Sequence, residues 1–366
     1  MFNILCINRE EFLLMKKIVM TGGGTAGHVT PNLALAPLLK EKGYEIFYIG
    51  SYTGIEKRLV EYAGITYYGI SSGKLRRYHD WKNFTDPFRV IKGFAEANQL
   101  LKHIKPDVVF SKGGFVSVPV VMAAARQHIP SIIHESDMTP GLANKLAIPF
   151  ATKVCCNFPE TLNYLPEGKA VHTGSPIRDE LFSGDRNRGF EFTGFDSSKP
   201  VILIMGGSIG SKFINNAVWE SLDTLLESFQ IVHLVGKGNI NKDLTGKPGY
   251  QQYEFVNEQL NDVFAITDLM ISRAGANSIS EILALKIPNI LIPLSAAASR
   301  GDQILNAASY EKQGFSTVLQ EETLTSELLI NSVKDVYSRG DEIKEKMASS
   351  KLLDANNTIL DLILNA

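Results

Sequence analysis

The chain has 366 residues, 44% of them hydrophobic and 21% charged, with a formal net charge of −2. That length exceeds what one hydrophobic core commonly supports, so two domains are expected, and the composition excludes disordered and fibrous classes. Without a basic excess, general nucleic-acid binding is not expected. Three cysteines (Cys6, Cys155, Cys156) are too few for a disulfide framework and read as reduced structural residues. No apolar run approaches the roughly 18–20 residues that cross a bilayer.

Residues 1–14 carry Arg9, Glu10 and Glu11 in a short mixed stretch, which does not suit a secretory signal, and they are expected to lie outside the main fold. Lys17–Thr21 reads as a first strand, followed by Gly22–Gly27 and a helix over about Pro31–Lys42, with Gly43 as its stop. Strands are expected at Glu45–Ile49, Asp107–Phe110 and Ser131–His134, with helices near 54–63, 88–104 and 117–127 between them. The polar stretch 183–199 reads as a break between domains. The pattern then restarts: Pro200–Met205 is an apolar strand, a glycine-rich turn follows, and a helix runs to about Ser228. Further strands are expected at Ile231–Val235, Tyr253–Val256, Asp268–Ile271 and Asn289–Ile292. A helical tail over about 341–364 has no strand to feed and is expected to pack back on the first domain.

Alternation of strand and helix implies a parallel α/β architecture, here two Rossmann-like, doubly wound domains facing a central cleft. The boundaries read as 1–180, 181–340 and a returning tail 341–366. Gly22, Gly24 and Gly27 satisfy G-x-G-x-x-G between a strand and a helix, which offers bare amides to a phosphate. A nicotinamide dinucleotide would need an acid at the end of the second strand, yet Gly50, Ser51 and Tyr52 stand there and Glu56 falls in the next helix. That cofactor is therefore disfavoured, and the plain alternative is a turn with no ligand. His28, just after the glycines, is a candidate general base if its imidazole stays neutral.

Gly206-Gly207-Ser208-Ile209-Gly210-Ser211 repeats the logic with a hydroxyl added and suits the diphosphate of a nucleotide sugar. Ser272–Glu281 runs from a strand end into a helix, with small residues leaving space and Glu281 placed to accept ribose hydroxyls; a solvated helix position is the bland alternative. Arg300–Asn306 sets polar groups at a helix mouth, suited to sugar hydroxyls. The sequence has no D-x-D motif and no His/Cys cluster with metal spacing, so no metal and no cofactor are expected, and Arg178, Ser208 and amides would meet the leaving charge. Lys74, Arg76, Arg77, Trp81, Phe84 and Phe88 mix cations with aromatics, as a lipid-facing segment does; an ordinary solvated loop is the alternative.

Several motifs in order carry a family resemblance: Thr21–Pro31, Lys112–Pro119, His134–Asp137, Pro140–Lys145, Gly174–Arg178, Gly206–Ser208, Arg273–Glu281 and Asp302–Asn306. Together they resemble the MurG family of N-acetylglucosaminyltransferases, of Gram-positive type. The resemblance implies the two-domain GT-B fold, inversion at the sugar carbon, UDP-N-acetylglucosamine as donor, and lipid I (undecaprenyl-pyrophosphoryl-N-acetylmuramoyl-pentapeptide) as acceptor. It implies a peripheral enzyme at the cytoplasmic membrane surface, serving peptidoglycan synthesis, cell shape and division. Arg178 and Ser208 would contact the diphosphate, Phe255 and Val256 flank the uracil, and Ala276, Glu281, Asp302 and Gln303 complete the donor site. Gly23, Gly24, Thr25, Ala26 and Gly27 would hold the acceptor pyrophosphate with His28 near the reacting hydroxyl. Ala26 replaces a glycine common in the family, a cost if that position needs positive φ. Ser136-Asp137 replaces a common Gln-Asn pair, which makes Asp137 a second candidate base. Competing readings are a transferase for another lipid or small-molecule acceptor, a UDP-sugar 2-epimerase, and a silent binding module.

Overall fold

The strands of this chain are short, continuous apolar runs, as in sheets covered on both faces. In the computed structural model, residues 15–73, 82–207, 210–296 and 301–366 are described, and the side chains of 82–87 lie outside that description. The chain divides into a first unit that ends at Arg178 and takes back Asp354–Ala366, and a second unit, Asp179–Leu353.

In the first unit the order is β1 (Lys17–Thr21), α1 (Thr30–Glu41), β2 (Glu45–Ser51), α2 (Ile55–Tyr62), β3 (Thr66–Ile70), α3 (Lys82–Ile104), β4 (Val108–Ser111), α4 (Ser117–Arg126), β5 (Ser131–Glu135), α5 (Leu142–Ala147), β6 (Lys153–Cys156) and β7 (Ala170–His172). They form a parallel seven-stranded sheet ordered β3-β2-β1-β4-β5-β6-β7. Strand order reverses between β1 and β4, where Thr21 pairs in register with Ser111, so the turns leaving those two strands open beside each other. Cys155 and Cys156 are buried, free thiols on β6, and burial pushes both up to about 12.

The second unit runs α6 (Arg186–Thr193), β8 (Val201–Met205), α7 (Lys212–Leu226), β9 (Gln230–Leu234), β10 (Tyr250–Tyr253), α8 (Leu260–Ile266), β11 (Thr267–Ser272), α9 (Ala276–Leu285), β12 (Asn289–Leu291), α10 (Asp302–Lys312), β13 (Thr317–Val318), α11 (Ser326–Ser338) and α12 (Gly340–Ala348). Its parallel six-stranded sheet has the order β10-β9-β8-β11-β12-β13, with the reversal between β8 and β11.

Three sequence expectations need correction. The stretch 183–199 is not a bare break, because α6 lies inside it. Asp185 caps that helix by accepting from Arg188 N–H (2.9 Å), and the Arg188 guanidinium makes a two-point pair with Asp262 on α8 (3.0 and 2.8 Å). The strand expected at Tyr253–Val256 lies three residues earlier, at Tyr250–Tyr253, where it takes its register from β9. The tail rejoins the first unit at Asp354, so 341–353, like all of α12, belong to the second.

Return of the tail is an ordinary packing event. The helix α13 (Ala355–Leu364) turns Ile359, Leu360 and Ile363 into the core that contains Leu35, Ala36 and Leu39 of α1. The Asn356 side chain donates to the Ile177 carbonyl (2.7 Å) and accepts from its N–H (3.0 Å), which ties the helix to the end of the first unit. Because Ile359 is fully buried, Ile359→Ala is expected to lower stability by about 2–5 kcal/mol, read as a fall in the urea midpoint of the first unit's unfolding.

Candidate active site

In the first unit the site grows from the turn after β1. A Cβ at Gly22 would collide with the His28 carbonyl oxygen, so the chain can double back over itself only with glycine there. Gly24 sits at φ +88°, left-handed backbone that favours glycine. Ala26 opens a short 3-10 turn, Ala26–His28, and is absent from the positive-φ positions, so the alanine costs the loop nothing there. The neighbouring turn after β4 is bonded to this one: Gly23 N–H donates to the Gly113 carbonyl (3.3 Å), and Lys112 N–H to that of Thr21 (3.0 Å).

His28 is half-buried in this turn, with Nδ1 3.0 Å from the Gly23 carbonyl oxygen and 3.2 Å from Thr25 Oγ1. A carbonyl can only accept, so the Nδ1 position carries the proton and the neutral ring presents Nε2 as its acceptor. Burial lowers the pKa of His28 below that of a free histidine and the Lys112 cation adds to this, while the Gly23 carbonyl, Asp137 and Glu56 oppose it. Asp137, half-buried in the turn after β5, therefore shares an electrostatic neighbourhood with His28.

Two groups beneath these turns were not assigned a role by sequence reasoning. Lys112 is buried at the end of β4, and its Nζ donates to His134 Nδ1 (2.7 Å) and Ser175 Oγ (3.2 Å). His134 can accept there because its Nε2–H points at the Gly174 carbonyl (2.7 Å). Burial pulls Lys112 down to about 7 against the attraction of Glu135, Cys155 and Asp137. Glu135, raised by its own burial, accepts from the N–H groups of Asp137 (3.0 Å) and Gly141 (2.9 Å) and from Asn144 (2.8 Å), and so fixes the loop that carries Asp137. A lysine directly after a buried strand reads as a surface residue; only the fold shows it is inside.

The second unit repeats the plan around the turns after β8 and β11. Ser211 caps α7 by accepting from Ile214 N–H (3.3 Å), just after the Gly206–Gly210 turn. Arg273, at the position after β11 that Lys112 holds after β4, donates to Ser211 Oγ (2.7 Å), Glu321 (2.7 Å) and the carbonyls of Ile292 (3.0 Å) and Pro293 (3.1 Å). Glu321 in turn accepts from Ser295 N–H (3.2 Å), so one buried guanidinium ties the loops after β8 and β12 together. Gln303 on α10 accepts from Leu294 N–H (3.0 Å), which leaves its amide N–H₂ as a donor beside the same loop. Ala276 is buried at the start of α9 and Glu281 half-buried later on it; Asp302 opens α10 behind Gly301. Val256 is buried, whereas Phe255 is 52% exposed.

Among the sequence candidates, His28, Asp137 and Gly23–Gly27 gather in the first unit, and Phe255, Val256, Ala276, Glu281, Asp302 and Gln303 lie in the second. Arg178, exposed, is the last residue of the first unit before its returning tail. Ser208, Lys74, Arg76, Arg77 and Trp81, and the side chain of Phe84, lie outside the described residues; Phe88 on α3 is 74% exposed. Among the described residues no helix is long and apolar enough to cross a membrane, and no three His, Cys, Asp or Glu side chains are grouped to hold a metal ion.

Two parallel α/β units, each with a glycine turn and a buried cation at its reversal point, define a nucleotide-sugar glycosyltransferase architecture. Models of the glycosyltransferase family 28 N-terminal and C-terminal domains match residues 18–156 and 201–362. Proteins of Lachnospira eligens and Lachnoclostridium phytofermentans, both named UDP-N-acetylglucosamine–N-acetylmuramyl-(pentapeptide) pyrophosphoryl-undecaprenol N-acetylglucosamine transferase, are each 61% identical over 95% of this chain, and over 99% and 98% of their own lengths. The crystal structure of Acinetobacter baumannii MurG superposes with a TM-score of 0.77 at 27% identity, over 96% of this chain and 100% of that one. The chain belongs to glycosyltransferase family 28, and within it to the MurG family, with the GT-B fold.

Arg273→Ala is expected to cost about 3–5 kcal/mol of stability, because it leaves Glu321 buried without its partner; urea unfolding of the variant against the parent measures it.

Proposed function

We propose that this chain transfers N-acetylglucosamine from UDP-N-acetylglucosamine to lipid I, with inversion at the anomeric carbon, and so makes lipid II for peptidoglycan. The observation that carries this reading is the 61% identity, over 95% of this chain, with two proteins named for that transfer. The first unit holds the acceptor and the second the donor. Acceptor diphosphate rests on the Gly23–Gly27 turn, where the N–H groups of Thr25 and Ala26 have no hydrogen-bond partner among the described residues. The acceptor hydroxyl attacks the anomeric carbon, His28 Nε2 takes its proton, and the bond to the diphosphate breaks with its electron pair leaving on UDP. Asp137 supports the imidazolium that forms.

On the donor side, Arg178 and Ser208 meet the diphosphate, and the Gly206–Gly210 amides share its charge without need of a metal. Phe255 and Val256 border the uracil, Ala276 and Glu281 the ribose, and Asp302 and Gln303 the sugar. Exposed Phe88, together with Lys74, Arg76, Arg77, Trp81 and Phe84, rests on the cytoplasmic face of the membrane, where the lipid acceptor is presented.

Purified protein given radiolabelled UDP-N-acetylglucosamine and a short-chain lipid I analogue, with EDTA present, is expected to move label into lipid only when the acceptor is there. Conversion of the free nucleotide sugar without acceptor would instead favour the epimerase reading. His28→Ala is expected to lower kcat by about 10²–10⁴-fold. Since the base must be neutral and burial lowers its pKa, the parent's rate is expected to hold through neutral pH and fall only as pH drops below the ordinary histidine range. A rate that falls on the acid side from pH 8 would sink the assignment.

A further inference from the structure

One buried acid belongs to none of the roles above. Glu56, the second residue of α2, has no solvent exposure, and its carboxylate lies directly under the glycine turn. Its Oε2 accepts from Gly24 N–H (3.2 Å); its Oε1 accepts from Ser51 N–H (3.0 Å) and from the Ser51 hydroxyl. The surroundings are cut to fit it: a Cβ on Gly23 would lie 2.7 Å from the Glu56 carboxyl carbon, and Cβ atoms on Gly50 and Gly54 would also collide with this side chain. Three glycines thus clear room for one carboxylate, and that carboxylate takes an amide the G-x-G-x-x-G pattern would otherwise offer to a ligand.

We infer that Glu56 is a positioning residue for acceptor binding, an internal anion that holds Gly24 in its left-handed conformation and confines the acceptor diphosphate to the Thr25–Ala26 amides next to His28. The inference rests on the reading that this turn holds the acceptor. Its physical basis is the donor count. Backbone N–H groups point at both oxygens, so both must accept, and a carboxylate does this while a carboxamide cannot. Glu56→Gln keeps the shape but turns an N–H₂ toward either Gly24 N–H or Ser51 N–H, and the turn must shift. The fixed negative charge also repels a second anion from Gly24, which biases a diphosphate toward the amides further along.

His28 gives an independent readout. The charged groups that face it are Lys112 from the end of β4, Asp137 from the turn after β5, and Glu56 from α2, with Lys112 disfavouring its proton and the two acids favouring it. Removing the Glu56 charge therefore moves the acid limb of the rate profile to lower pH, which a purely structural lesion does not do.

The test is steady-state transfer by the full chain and by Glu56→Gln, both shown folded by circular dichroism, with UDP-N-acetylglucosamine and the short-chain lipid I analogue varied in turn. At least a tenfold rise in acceptor KM, with donor KM within twofold and the acid limb displaced to lower pH, is the expected result. Unchanged KM values and an unmoved acid limb would overturn the positioning role itself. A rise confined to donor KM would overturn it by a different route, by showing that the turn does not serve the acceptor. Should Glu56→Gln fail to fold, Ser51→Ala removes only the hydroxyl donor. It is expected to raise acceptor KM about threefold with donor KM unchanged, and no change in acceptor KM would overturn the inference.

Discussion

Close approach of backbone to backbone at the turn after β1 is the constraint on which the first unit's site depends. Gly22 lies against the His28 carbonyl, and Gly114 against Gly23, with no room for a side chain at either glycine. That contact brings the turns after β1 and β4 together, presses His28 back toward Gly23 and fixes which ring nitrogen carries the proton. Orientation and tautomer follow from a turn that only glycine can make, while the lowered pKa of His28 comes from its burial.

The second unit solves the same problem with different chemistry. Both sheets reverse order beside their first strand, and in each the strand across the reversal ends in serine followed by a buried cation: Ser111-Lys112 and Ser272-Arg273. Lys112 is held by neutral partners, His134 and Ser175, whereas Arg273 is paired with Glu321 and carbonyls. A flexible ammonium with depressed basicity and a permanently charged planar fork are not interchangeable. Burial draws the lysine down to about 7, while the guanidinium braces loops.

Much of the fold was legible because buried parallel strands must be apolar throughout. Val201–Met205 and Lys17–Thr21 could be read directly, and so could the glycines and His28 that follow the first strand. Strands whose residues carry little apolar signal were not: β10 is Tyr-Gln-Gln-Tyr, and β7 and β13 span three and two residues, so their place is set by the neighbouring strand. Helix α6, Arg-Asn-Arg-Gly-Phe-Glu-Phe-Thr, shows no clean apolar stripe and is held by a cap and a guanidinium–carboxylate pair from 74 residues away.

By itself the sequence determined the class of fold, the family and the loops where chemistry gathers, since these depend on local periodicity and on residues adjacent along the chain. Tertiary structure alone decided that Lys112 and Glu56 are inside, that Arg273 joins two loops, and that the last helix returns to the first unit's core. A lone lysine or glutamate carries no sequence mark of burial. Its partners are scattered along the chain, and only the folded sheet brings them within hydrogen-bond distance.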